Sequence, residues 1–251
     1  MMKKRLWSRW ILALAVVWPC MAAAHDRVRE KENFDFDWKF ILNADDRANA
    51  GMQVSEAGWQ DVQLPHDWSI SQNFDPKLSG SNGHLPGGIG WYRKTFRGDK
   101  KDKGRRIAVL FDGIYSRSDV YVNGQHLGFR PYGFCYQEYD LTPYLNYGAE
   151  NVLAVRVNNP LEHDSVARWY TGAGIYRHAW LVKTAEVHVA SYGTYVTTPV
   201  VTAERAEVRV RTSVANEAER TKTLSVRQQI TDGEGRTVVQ SGKQALQVAA
   251  G

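Results

Sequence analysis

The chain has 251 residues, of which 43% are hydrophobic and 24% charged, a composition typical of a folded protein of one or two domains. Its formal net charge is +5, but four basic residues and no acidic ones lie in residues 1–24. The remainder carries only +1, so charge gives no case for a nucleic-acid partner. Nine tryptophans and twelve tyrosines favour β structure and recognition of carbohydrate or peptide.

The N-terminus is predicted to be a secretory signal peptide spanning residues 1–24. A basic segment (residues 3–5) precedes an apolar run (residues 11–18), and three alanines (residues 22–24) form a small-residue cleavage site. The run is too short to span a bilayer with ease, and no later segment has the apolar length of a membrane helix. We therefore expect a periplasmic or secreted protein that does not contact the membrane after cleavage.

Cysteine usage leaves no intramolecular disulfide in the mature chain. Cys20 lies inside the predicted signal peptide, so Cys135 would remain alone. Its neighbours Phe134 and Tyr136 suggest a buried small hydrophobic residue rather than a nucleophile.

Short alternating segments from residue 33 onward predict a first all-β unit. Asn123-Gly124 predicts a tight two-residue hairpin, because both residues tolerate positive φ. Residues 139–145 suggest a short helical turn, and no window predicts an amphipathic helix longer than about three turns. The strands are predicted at residues 38–42, 91–96, 106–111, 120–122, 150–157 and 180–182.

A second unit is predicted from residue 185, with strands at residues 187–189, 207–212, 223–230 and from 237. The fold class is therefore all-β: a galactose-binding-like jelly-roll sandwich over residues 25–184, then an incomplete immunoglobulin-like sandwich over residues 185–251. An immunoglobulin-like domain needs about 100 residues and some seven strands, more than residues 185–251 supply.

The segment LPHDW (residues 64–68) offers the first candidate sugar contacts. Asp67 can accept hydrogen bonds from vicinal hydroxyls, Trp68 can pack under a sugar ring, and His66 lies beside them. The alternative is structural, with Asp67 capping the backbone of its own loop.

The segment RWYTGAGIYRHAWL (residues 168–181) offers a second set of candidate sugar contacts. Trp169 and Tyr170 have flat apolar faces with polar edges, and Gly172 and Gly174 permit positive φ or a close approach. The alternative is a strand with a glycine bulge.

The sequence contains no recognisable catalytic or cofactor-binding motif. No pair of carboxylates stands in a setting that marks it as catalytic, and the histidines lack close metal-ligand spacing. The glycine-rich residues 83–90 have no following Lys-Ser/Thr pair. We expect no metal and no cofactor.

Several motifs in order resemble the N-terminal region of glycoside hydrolase family 2, and most closely its β-galactosidase-like members in Gram-negative bacteria. They are LPHDW (64–68), GWYRKTF (90–96), LFDGIYSRSDVYVNGQHLG (110–128), YDLTPYL (139–145), ENVLAVRVNN (150–159) and RWYTGAGIYRHAWL (168–181). The family's architecture is a jelly-roll sugar-binding domain, an immunoglobulin-like domain and a TIM barrel that carries both catalytic glutamates. The resemblance thus implies that these residues belong to the non-catalytic part of an enzyme acting on terminal β-glycosides, and that the chain alone hydrolyses nothing.

The resemblance also implies roles for individual residues. Asp67 matches a polar contact to the sugar, and the loop before the GIYR motif borders the pocket. Arg168 falls where some relatives have an acidic residue, which speaks against a metal there but allows hydrogen bonds to a sugar. Trp169 either lines the pocket or packs at a domain interface. The expected partner is a terminal β-galactoside or related sugar, and homo-oligomerisation stays open.

A free-standing carbohydrate-binding module is the alternative function, because a shared fold does not determine function. Such a module should be a complete folding unit, and the shortage of strands after residue 185 argues against it.

Overall fold

The structure, a computed structural model, describes residues 29–42, 45–159 and 169–251. Of the described residues about 51% lie in strands, and no helix among them reaches seven residues, which confirms the all-β prediction. Within the described ranges, no helix is long and apolar enough to cross a bilayer. The predicted signal peptide, residues 1–24, lies outside the described residues.

In the described part of the chain, ten strands form a two-sheet sandwich, as predicted for the first unit. One sheet has the order β3-β2-β4-β9-β6-β7 and the other the order β1-β10-β5-β8. The strands are β1 (Arg29–Asn33), β2 (Trp38–Leu42), β3 (Gln60–Val62), β4 (Gly88–Arg97), β5 (Arg106–Phe111), β6 (Ser118–Val122), β7 (Gln125–Arg130), β8 (Gln137–Asp140), β9 (Glu150–Asn159) and β10 (Ala179–Thr184).

The main core lies between these sheets, because alternate side chains of a strand point to the same face. The inward positions of β5 and β9 are at most 2% exposed: Ile107, Val109, Phe111, Leu153, Val155 and Val157. Aromatic rings of Trp38, Phe40 and Tyr92 complete the same cluster. The apolar side chains whose alternation predicted these strands are therefore the side chains that fill the core.

A second, smaller cluster lies on the outer face of the six-stranded sheet. Trp91 is fully buried there, beside Tyr121 and Ala154, and Trp59 packs against the cluster. Arg93 points to the same face as Trp91, since the two are two residues apart on β4. The segment that precedes β3 covers this face and keeps it from solvent.

The Asn123-Gly124 hairpin has the predicted backbone, with φ of 50° and 84° at the two turn residues. It joins β6 to β7. The Asn123 amide nitrogen also donates to Tyr144 O and to Asn151 Oδ1, each at 2.8 Å. The turn residue thus connects three segments of the chain.

Six further strands form three two-stranded sheets, β11-β12, β13-β16 and β14-β15, and none pairs with the first ten. They are β11 (Val187–Val201), β12 (Ala206–Asn216), β13 (Lys222–Val226), β14 (Gln229–Thr231), β15 (Thr237–Gln240) and β16 (Gln244–Val248). The assignment of this unit to the immunoglobulin-like class and the boundary at residues 184/185 stay predictions.

Three local predictions need correction. The strand predicted at residues 223–230 is interrupted and forms two strands, β13 and β14. The side-chain amide of Gln228, which lies between them, donates to Val210 O and Thr212 Oγ1. The helical turn predicted at residues 139–145 is shorter, with β8 ending at Asp140 and a 3-10 helix over Thr142–Tyr144. Cys135 is half-buried rather than buried, and its thiol donates to Tyr132 O at 3.7 Å.

Candidate functional site

Asp67 joins the LPHDW loop to the segment before β10. Its Oδ1 accepts from the backbone N–H of Ser69 and of Ala173, both at 3.0 Å, and its Oδ2 accepts from the Tyr170 hydroxyl at 2.6 Å. The bond to Ser69 is the backbone cap that sequence alone offered as the alternative role for this residue. Three of about four acceptor positions are therefore occupied, and one on Oδ2 remains.

Tyr170 is held as a neutral hydroxyl. Burial and the hydrogen bond to the Asp67 carboxylate raise its pKa well above the ordinary value, because both disfavour the phenolate. Its ring is 38% exposed. Tyr170 therefore presents part of an aromatic face to solvent while its hydroxyl is committed to Asp67.

His66 is half-buried against aromatic side chains. Its Nδ1 lies 2.8 Å from the Tyr92 hydroxyl, and its ring centroid lies 4.8 Å from that of Phe40. Burial lowers the pKa of His66 below 6.5, with Asp67 opposing the shift. A neutral imidazole is the result, so His66 offers hydrogen bonds rather than charge.

Gly174 allows this packing. Its φ is 111°, and an added Cβ would lie 2.3 Å from the Tyr92 hydroxyl and 2.8 Å from His66 O. Gly172 has a φ of 76°, and its Cβ would lie 2.9 Å from Asp67 Oδ2. Both glycines are therefore required where this segment approaches the LPHDW loop.

Trp68 does not fit its predicted role in sugar contact. The ring is 1% exposed, stacks on Phe40 at a centroid distance of 5.6 Å, and donates through Nε1 to Gly87 O at 3.3 Å. A ring enclosed in this way offers no face to a sugar, so we assign Trp68 to the core.

Trp169 is 62% exposed and presents its ring to solvent. Arg168, the other candidate from this segment, lies outside the described residues. Two residues that sequence reasoning missed lie close by: Asn82 Oδ1 accepts from the Thr171 hydroxyl at 3.2 Å, and Asn159 Nδ2 donates to Gly172 O at 3.2 Å. No local pattern marks either asparagine, since each bond joins distant parts of the chain.

An aromatic surface adjoins the glycine segment. Tyr115 and Gly174 exchange backbone hydrogen bonds at 2.8 and 2.9 Å. The Tyr115 ring lies 5.1 Å from that of Phe134, which in turn lies 5.8 Å from Tyr132 and 6.5 Å from Tyr176. Phe134 and Tyr132 are 45% and 62% exposed, so this surface, like Trp169, is open to a ligand or partner.

Several acidic side chains of the first unit that lie outside the Asp67 cluster have structural partners. Asp112 accepts from Trp180 Nε1, Asp119 pairs with His126 and Arg156, and Glu138 pairs with Arg106. Asp140 caps Thr142, while residues 162 and 164 lie outside the described residues. Across the described part of the chain, no group of three or more His, Cys, Asp or Glu side chains could hold a metal ion.

An antiparallel sandwich with a polar and aromatic cluster on its connecting loops defines a β-sandwich domain of the kind that recognises carbohydrate. Residues 32–185 match the profile of the sugar-binding domain of glycosyl hydrolases family 2. The chain belongs to this family.

Curated relatives include a β-galactosidase, BoGH2A, from Bacteroides ovatus, 43% identical over 88% of this chain and 26% of its own length. A β-glucuronidase from Formosa agariphila is 34% identical over 86% of this chain and 24% of its own length. A solved structure of a family member from Bacteroides cellulosilyticus superposes with a TM-score of 0.77 at 40% identity, covering 87% of this chain and 29% of that one. The chain thus spans about a quarter of the length of these curated relatives.

Proposed function

We propose that this chain is the non-catalytic N-terminal part of a family 2 glycoside hydrolase that cleaves terminal β-glycosides, with β-galactosides as the first candidates. The Asp67–Tyr170 hydrogen bond carries the proposal. It joins the two motifs of the family resemblance into one polar and aromatic cluster. The similarity to a β-galactosidase supports the choice of sugar.

In this proposal Asp67 contacts the sugar through its remaining acceptor position on Oδ2, while its other bonds hold the carboxylate in place. His66 and Trp169 flank it, the first as a neutral hydrogen-bonding ring and the second as an exposed stacking face. Arg168 completes the predicted set as a donor to hydroxyl or carboxylate groups.

The chemistry requires two carboxylates about 5 to 10 Å apart across the scissile bond. We propose that they belong to a part of the enzyme beyond these 251 residues, because the curated relatives are about four times as long as the region they share with the chain. The predicted signal peptide supports export, so the proposed site of action is the periplasm or the medium.

The test uses a chimera in which this chain replaces the corresponding region of the Bacteroides ovatus β-galactosidase. We expect Asp67→Ala to lower kcat/KM for an aryl β-galactoside by about tenfold, the value of one hydrogen bond to a charged group. Asp61→Ala is the matched control, because Asp61 is exposed and pairs only with Lys39 among the described residues. An unchanged kcat/KM in a folded Asp67→Ala chimera would remove Asp67 from the sugar site.

A further inference from the structure

A separate cleft opens between the first sandwich and the hairpin of β11 and β12. Its volume is about 530 Å³, within the range of small-molecule sites. Arg106, Arg130, Tyr136 and Glu138 line it from the sandwich, and His188 and Ser191 from β11. None of these residues belongs to the Asp67 cluster.

The cleft is held in shape by one ion pair within the sandwich, Arg106–Glu138, and by two contacts that cross to the second unit, Arg106–Glu217 and Ser191–Glu138. Arg106 Nη1 lies 2.8 Å from Glu138 Oε1, and Arg106 Nε lies 2.9 Å from Glu217 Oε1. The Ser191 hydroxyl donates to Glu138 Oε2. Arg106 and Arg130 together offset the charges of Glu138 and Glu217, so the lining of the cleft is polar but carries little net charge.

An aromatic pair lies beside this wall. The rings of Tyr136 and Tyr192 are 4.5 Å apart and inclined by 38°, and the side chains are 48% and 67% exposed. Tyr192 lies where β11 breaks register with β12, and its φ is 52°. Positive φ is unfavourable for a bulky residue, and strained residues of this kind gather at functional sites.

Two hydrogen-bonding groups face the cleft with capacity to spare. His188 is 6% exposed, and its Nδ1 donates to Ala185 O at 2.9 Å, so in a neutral ring Nε2 is the acceptor. Arg130 is exposed, and its guanidinium interacts with the Tyr139 hydroxyl, which leaves further N–H donors of the five available for a ligand. The Arg130 guanidinium offers donors, His188 offers a ring acceptor, and the tyrosine rings offer a stacking face. Together these groups match a sugar ring, which has an apolar face and vicinal hydroxyls at its edge.

We propose that this cleft is a second saccharide-binding site, in which a pyranose ring packs on the Tyr136–Tyr192 pair and its hydroxyls bond to Arg130 and His188. The site shares no residue with the Asp67 cluster. Its ligand is a neutral sugar or a uronic acid, the latter placing its carboxylate on Arg130.

The experiment titrates the whole chain with methyl β-galactoside and methyl β-glucuronide by calorimetry and by ligand-observed NMR. We expect Tyr136→Ala to raise Kd about tenfold, the value of one stacked ring. Tyr192→Gly should raise Kd similarly without lowering Tm, because glycine relieves the positive φ. Tyr195→Ala is the control, since Tyr195 is exposed on the same strand as Tyr192 but packs beside Arg211 rather than Tyr136.

Loss of glucuronide binding alone on Arg130→Ala would identify a uronic acid as the ligand, and equal loss of both would identify a neutral sugar. Absence of binding to either sugar would overturn the proposal. So would binding that survives Tyr136→Ala and Tyr192→Gly but is lost with Asp67→Asn, because it would locate the sugar at the other cluster. These outcomes differ from those of the chimera test, which reports only on Asp67.

Discussion

The Asp67 carboxylate and the Tyr170 hydroxyl, 103 residues apart in sequence, are joined by a hydrogen bond of 2.6 Å. The same carboxylate caps Ser69 and accepts from the Ala173 N–H. Two loops of the sandwich therefore share one acceptor. A sugar bound at Asp67 would contact a group that the protein has already fixed in orientation.

This relationship predicts coupling between the two loops. Tyr170→Phe should lower the free energy of unfolding by about 1 kcal/mol, since one hydrogen bond is lost at a half-exposed position. Asp67→Ala should cost about 1–3 kcal/mol, because two backbone N–H groups lose their acceptor. Urea unfolding of the wild-type chain, both single variants and the double variant measures the coupling free energy between Asp67 and Tyr170. A double variant whose effects simply add would show that the two loops are independent.

His66 should make stability depend on pH. Burial lowers its pKa in the folded state below the unfolded value of about 6.5. The unfolded chain therefore binds the proton more readily, so the contribution is complete above about pH 6.5 and is lost as the pH falls through the folded pKa. We expect His66→Gln to flatten the decline in Tm between pH 7.5 and 5.0. In His84→Gln, the control, the decline should persist.

Much of the fold was predictable because its signals are local. The Asn123-Gly124 turn follows from the φ preferences of two adjacent residues, and β5 and β9 follow from alternation within ten residues or fewer. The strand β8 was not predicted, because Tyr139 and Asp140 were assigned to a helical turn and Gln137, although 1% exposed, is polar. Its burial depends on bonds to Ser118 and Tyr139 that no local pattern reveals.

The candidate site was predictable only in part, for the same reason. The segments 64–68 and 168–181 were found by residue type, but the roles within them depend on distant partners. Trp68 is buried because Phe40 and Gly87 pack around it. The Asp67 carboxylate accepts hydrogen bonds from Tyr170 and Ala173, which are about 100 residues away in sequence. Asn82 and Asn159, which position the second segment, carry no signal of their own.

Gly174 should tolerate no side chain. Gly174→Ala would force a Cβ to within 2.3 Å of the Tyr92 hydroxyl at a φ of 111°. We expect a loss of about 2–3 kcal/mol in the free energy of unfolding, from overpacking and backbone strain together. Gly242→Ala is the matched control, because its Cβ would meet nothing within 4 Å. Equal stability of the two variants in urea would contradict the packing described here.

Arg93 should hold the segment that covers the outer face of the six-stranded sheet. Its side chain is 2% exposed, and its guanidinium donates to Asn49 O, Gly51 O and Glu56 Oε1 at 2.5, 2.7 and 3.1 Å. Arg93→Met should cost about 3 kcal/mol, because three acceptors lose their donor and a buried ion pair is broken. Hydrogen exchange should accelerate across residues 49–56 and not in β5. Lys39→Met, which removes an exposed ion pair, should leave stability nearly unchanged, because solvent screens the pair. Unchanged exchange at residues 49–56 in Arg93→Met would show that Trp91 and its apolar neighbours hold the segment without the guanidinium.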